Sequence, residues 1–178
     1  MGRVRPRARP ILVLGLVMAG GLATACLGWA NDRHVPRADV SVGATAKRLS
    51  PWSVDWVKSG RHHMCSHESV DGIPSFRPRV AVDRAHVTPR VILHKRQRPR
   101  RVIAYADNRL ANGYLANGKR VPVDLRARHS HGHRYWVAVM KAHVKHRLLF
   151  AVTAFWRDSE GCGGRESAGW SFGLVRHS

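Results

Sequence analysis

The chain has 178 residues, with 31 Lys+Arg against 11 Asp+Glu, a formal charge of +20 with histidine neutral, and 44% apolar residues. That apolar share is ordinary for a globular protein and argues against wholesale disorder, and the length suits one folded domain with extensions. A coiled coil and a multi-span membrane protein fit these figures poorly.

Met1 to Arg9 hold four arginines and no acid, and are followed by the apolar run Ile11-Leu-Val-Leu-Gly-Leu-Val-Met-Ala-Gly-Gly-Leu-Ala-Thr-Ala25. A basic start, an apolar stretch and a small-residue boundary make a secretory signal over residues 1–25. No Arg-Arg pair precedes the apolar run, which favours the general export route over the twin-arginine one.

The boundary Leu22-Ala-Thr-Ala-Cys26 resembles the lipobox of bacterial lipoproteins, with Ala23 where that family usually has leucine. The resemblance implies that Cys26 becomes the first mature residue and is diacylated on sulfur. Plain cleavage after Ala25, giving a secreted protein, is the second reading. Retention of the uncharged stretch 10–31 as a membrane anchor is the third. With Cys26 lipidated, Cys65 and Cys162 remain as an even pair in an oxidising compartment, and a disulfide between them is expected.

Residues 26–49 mix Gly, Ala, Asp, Arg, Ser and Thr without a sustained period and read as a flexible tether, leaving 50–178 as one β-rich extracytoplasmic domain. Ser50-Pro51, with Trp52 and Trp56 four apart and Gly60 beyond, predicts a short helix over about 51–59. From about residue 79 the pattern turns to strands: Val80 and Val82, Val91 to Leu93, and Val102 to Tyr105. Asn112-Gly113 and Asn117-Gly118 are turn dipeptides, and Pro122 marks an edge strand or a strand start. Tyr135 to Met140 and Leu148 to Trp156 are apolar on both faces, as in buried strands. Trp170, Phe172 and Leu174 alternate with Ser171 and Gly173, the pattern of a half-buried strand. Together these predict a mainly β protein, an antiparallel sandwich or barrel of about seven strands with one short N-terminal helix.

Beyond the first nine residues, 27 bases face 11 acids, a formal charge of +16. The densest basic stretch, His94 to Arg101, offers Lys95, Arg96, Arg98, Arg100 and Arg101 as anion-binding candidates. Such a patch attracts polyanions by counterion release and long-range steering. In the envelope these are anionic polymers and lipid headgroups. No aromatic residues interleave with the run, which argues against a specific nucleic-acid groove. The bland alternative is a solvated arginine-rich face.

Twelve histidines are present, and His129, His131 and His133 alternate, so in one extended strand their rings would share a face and offer a zinc or copper site. His62, His63, His67, His143 and His146 could add ligands, whereas Arg126, Arg128 and Arg134 oppose a cation. The principal expectation is no cofactor. Ser159-Glu-Gly-Cys162-Gly-Gly-Arg165 resembles the Ser-His-Gly-Cys-x-Arg stretch of the L,D-transpeptidases, which implies a nucleophilic Cys162 in a cell-wall transferase. Glu160 stands where that family has histidine and the arginine is displaced by one place, so a glycine-rich turn with Cys162 bridged to Cys65 is preferred. Trp52, Trp56, Trp136, Trp156 and Trp170 read as core residues or as a sugar-stacking platform. A non-enzymatic binding or structural role, at the outer face of the cell membrane or secreted, is the main expectation. Metal binding and wall transfer are the alternatives.

Overall fold

The structure, a computed structural model, describes residues 35–59, 65–157, 162 and 164–177. The expected signal, Cys26, His62 and His63 lie outside those residues. In chain order the strands are β1 (Arg37–Val42), β2 (Thr45–Leu49), β3 (Pro51–Ser59), β4 (Cys65–Asp71), β5 (Arg79–Val82), β6 (His86–Val87), β7 (Arg90–His94) and β8 (Arg101–Asp107). They continue with β9 (Leu110–Ala111), β10 (Tyr114–Leu115), β11 (Lys119–Val121), β12 (Val123–Ser130), β13 (His133–Met140), β14 (Ala142–His143), β15 (Arg147–Arg157) and β16 (Arg165–Arg176).

Two open sheets carry the fold. One has five strands in the order β12-β13-β7-β1-β2, and the other has seven, β11-β8-β15-β16-β3-β4 with β5 beside β16. Two short ribbons, β9–β10 and β6–β14, complete the described residues. Every pairing is antiparallel except β5 on β16. Neither large sheet closes on itself, which removes the barrel alternative. The strands also exceed the expected seven because the chain passes repeatedly between sheets. Pro122 is the clearest instance: it has no N–H to continue a ladder, and it separates β11 in one sheet from β12 in the other.

One hydrophobic cluster unites the two sheets. Phe150, Val152, Ala154 and Trp156 of β15 meet Ala168, Trp170, Phe172 and Leu174 of β16 on one side of it. Val40, Val91, Leu93, Trp136, Ala138 and Met140 come from the five-stranded sheet. Phe150 stacks on Phe172 at 4.9 Å, and Trp156 meets Trp170 edge-on at 6.4 Å. Each such buried side chain contributes roughly 1.5–3 kcal/mol relative to exposure.

Residues 51–59 form strand β3, not a helix. A spacing of four puts two residues on one face at either period, 3.6 or 2, so the tryptophan pair does not discriminate. The ladders to β4 and β16 decide the matter, and Val54 and Trp56 become core residues. The tether reading is likewise corrected over 37–49. Those residues make the β1–β2 hairpin, turned at Gly43 with φ 58°, and Ala38, Val40 and Leu49 are buried by it.

Strand β16 is covered on both faces rather than half buried. The segment after β4 crosses it: Phe76 N–H donates to Ser171 Oγ at 3.0 Å, and Gly173 N–H donates to the Pro78 carbonyl at 3.1 Å. Trp52 lies over Gly169, where an added Cβ would come within 3.0 Å of the indole and 2.5 Å of Ser53 Oγ. Gly169 is thus required by what packs on it. The Asn112-Gly113 dipeptide makes the two-residue turn of β9–β10, with φ of 51° and 83°. Asp107 ties down the base of this loop by accepting the backbone N–H groups of Asn117, Arg109 and Asn108. Those bonds, that from Asn117 foremost, together with the nearby Arg109 charge, hold its carboxyl below the ordinary 3.8.

Candidate anion-binding surface

The basic stretch His94 to Arg101 joins β7 to β8 as a loop fixed from beneath by two tryptophans. Trp136 Nε1 donates to the Arg96 carbonyl at 3.2 Å, and Trp156 Nε1 donates to the Gln97 carbonyl at 3.3 Å. Gln97 Nε2 donates to the Arg157 carbonyl, and Arg100 N–H to that of Phe155. The loop is therefore positioned by core residues of both sheets.

Lys95 leaves the predicted anion-binding group. Its ammonium turns inward to Glu166 Oε2 at 2.9 Å, over the Trp56 ring at 4.2 Å and near Trp156 at 5.4 Å. Glu166 is fully buried and the Lys95 side chain is 17% exposed. Sequence reasoning missed this pair because Lys95 sits within a run of arginines and Glu166 is remote in the chain. Arg96, Arg98, Arg100 and Arg101 stay exposed. Arg98 and Arg134 each place a guanidinium carbon 5.5 Å from the Trp136 ring centre.

The three alternating histidines do not share a face. His131 and Gly132 form the turn between β12 and β13, with φ of 48° and 74°. Reversal of the chain pairs His129 with Arg134 and His133 with Ser130, and adjacent pairs in a ladder point to opposite faces. Among the described residues no group of three or more His, Cys, Asp or Glu could hold a metal ion. Of the other histidines, His67 pairs with Asp55, and His143 Nδ1 lies 3.2 Å from His86 Nε2.

A larger feature is the outer face of the five-stranded sheet. The register places Arg126, Val137, Ile92, Asp39 and Arg48 side by side across it, with Asp124, Val139, Arg90 and Ser41 in the next row. Two hollows of about 620 and 510 Å³ open on this face and share Ile92 and Tyr135. Val137 and Val139 floor the first, with Arg90, Arg126, Arg128 and Lys141 around it. Arg96, Arg134, His94, His131 and His133 surround the second. Both acids here have partners: Asp39 accepts from His94 Nε2 at 2.6 Å, and Asp124 from Arg126 at 2.6 Å. His94 also stacks on Tyr135, with ring centres 6.3 Å apart, which fixes the phenol. Arginines two apart in β12 beside a β13 apolar on both faces are the sequence signal for this groove. It surfaces only once the two strands are known to be neighbours. Arg98, Arg100 and Arg101 line a separate shallow hollow with Val123 and Leu125.

Cys65 and Cys162 form a disulfide with Cα atoms 5.8 Å apart. The bridge fastens the start of β4, at the edge of the seven-stranded sheet, to the connection between β15 and β16. Cys162 is thereby removed as a nucleophile, because a disulfide sulfur offers no thiolate. All five tryptophans weighed as a sugar platform are buried or partly buried, and Trp56, Trp136, Trp156 and Trp170 belong to the core. None of the protein-family models, curated proteins or solved structures compared with the chain matches it.

Proposed function

We propose that this chain is an exported, non-enzymatic binding module of the cell envelope, a small β-sandwich held at the membrane through a lipidated Cys26. Its partners are anionic envelope polymers and lipids. The observation that supports the reading is the disposition of charge. Asp39, Asp55, Asp124 and Glu166 each face a cationic or imidazole partner, and Asp107 is occupied by backbone N–H groups. The arginines of both sheets meanwhile point to water. Each paired acid cancels only its own partner, so the excess of bases stays on the surface and can gather polyanions by releasing their counterions.

The test is retention of the full chain on an immobilised polyanion over a salt series. Binding should weaken steeply between 50 and 200 mM salt, by about 10³-fold if six contacts form. Salt-independent retention, or none at low salt, would overturn the reading. Metabolic fatty-acid labelling of the wild type and Cys26→Ala tests the anchor. Equal labelling, or a mature N-terminus other than Cys26, would replace lipidation with plain cleavage or retention.

A further inference from the structure

We infer that the groove across the outer face of the five-stranded sheet is a binding site for a chain of acidic sugar units. This builds on the polyanion reading above and gives it a place and a ligand class. The two hollows share Ile92 and Tyr135 and run along β13 from His133 to Met140. Seven steps of a strand cover about 24 Å, long enough for several linked sugar rings rather than a single small ion.

Floor and rim have different chemistry. The floor, Ile92, Val137, Val139 and the Tyr135 ring, is a flat, mostly aliphatic strip. It suits the C–H faces of sugar rings, and it has a single aromatic platform, whereas single-stranded nucleic acids need successive aromatic rings for their bases. The rim carries guanidinium groups from neighbouring strands, Arg90 on β7 and Arg128 on β12. A guanidinium fork matches a carboxylate in a bidentate way that an ammonium does not. Ser41 and Thr88 add hydroxyls for the neutral parts of such a chain. The two acids on this face are flanked by bases, Asp124 by Arg126 and Asp39 by His94 and Arg48.

Titration of the full chain with oligogalacturonate, its methyl ester, an oligothymidylate and phosphatidylglycerol vesicles tests the inference at fixed salt. Arg90→Ala with Arg128→Ala should weaken oligogalacturonate binding at least about tenfold, the worth of one charge-assisted hydrogen bond. Arg90→Lys with Arg128→Lys, which keeps the charge and removes the fork, should lose most of that affinity too. Tyr135→Ala should weaken oligogalacturonate binding and leave vesicle binding unchanged, with Tyr135→Phe as the control for folding. The exposed pair Arg120→Ala with Arg176→Ala, on the seven-stranded sheet, should change affinity by less than about twofold, apart from the general salt-dependent attraction. Equal losses from the two arginine pairs, full rescue by lysine, or tighter binding of the methyl ester, the oligothymidylate or the vesicles would overturn the groove as an acidic-sugar site. The wider polyanion reading would survive those results if some anionic probe still bound in a salt-dependent way, and would fall if none did.

Discussion

Removing the Lys95 ammonium tests how the loop, the tryptophan cluster and the buried acid depend on one another. Glu166 is fully buried on the core side of β16, and Lys95 reaches it with only 17% of its own side chain exposed. Taking one partner from a buried ion pair costs about 3–5 kcal/mol, because the other charge must then be neutralised or stay desolvated. The partial exposure of Lys95 puts Lys95→Ala near the lower end, about 3 kcal/mol. For a domain of this size that lowers Tm by about 6–12 °C. Glu166→Gln should cost less, about 1–2 kcal/mol, since Lys95 can turn to water or stay over Trp56. The double replacement Lys95→Met with Glu166→Leu should lie within about 1 kcal/mol of the parent, as apolar packing replaces the pair. Urea denaturation followed by tryptophan fluorescence, closed into a double-mutant cycle, gives all three values. A loss under about 1 kcal/mol for Lys95→Ala, or a coupling energy near zero, would refute the argument.

Replacing both bridge cysteines, Cys65→Ser with Cys162→Ser, should cost about 2–5 kcal/mol, and hydrogen exchange should rise first in edge strand β4, ahead of β15 and β16. Gly169→Ala should destabilise the domain by about 1–3 kcal/mol in thermal melts, since its Cβ would meet Ser53 Oγ at 2.5 Å and the Trp52 ring at 3.0 Å. The lowered Asp107 carboxyl fixes the sign of an acid effect: its contribution is fully present above pH 3.8 and is lost as pH falls below that through the folded value. The backbone amides of Asn108, Arg109 and Asn117 should therefore keep their protection down to about pH 4 and lose it below, whereas Asp107→Asn should remove the pH dependence. NMR amide exchange reads both outcomes.

The parts of the fold that can be read from the sequence are those whose alternation has a single interpretation. Val80 and Val82 fall on one buried face of β5, and Leu148 to Trp156 forms a strand between two neighbours. Where a spacing serves two periods, as with Trp52 and Trp56, tertiary pairing decides and the sequence is mute. Residues 37–49 look like linker because β2 has the exposed, polar composition of an edge, yet Ala38, Val40 and Leu49 contribute to the core. The disulfide follows from cysteine arithmetic once Cys26 is set aside for the expected lipid. The histidine face does not, because two residues of turn at His131-Gly132 reverse which rings lie together. The groove is harder still, since β7, which supplies Ile92 and Arg90, lies roughly 30 to 50 residues before the β12–β13 hairpin that supplies the rest of its floor and rim.

Open sheets have edges, and both edges of the five-stranded sheet are basic. β2 displays Lys47 and Arg48, and β12 displays Arg126 and Arg128. β11 is only three residues long and ends against Pro122. An unpaired strand edge is a template for a second chain, and like charges or a proline placed there discourage it. The arginines at the β2 and β12 edges thus disfavour edge-to-edge stacking of two copies of this chain. A polyanion long enough to neutralise two such edges at once would lift that repulsion.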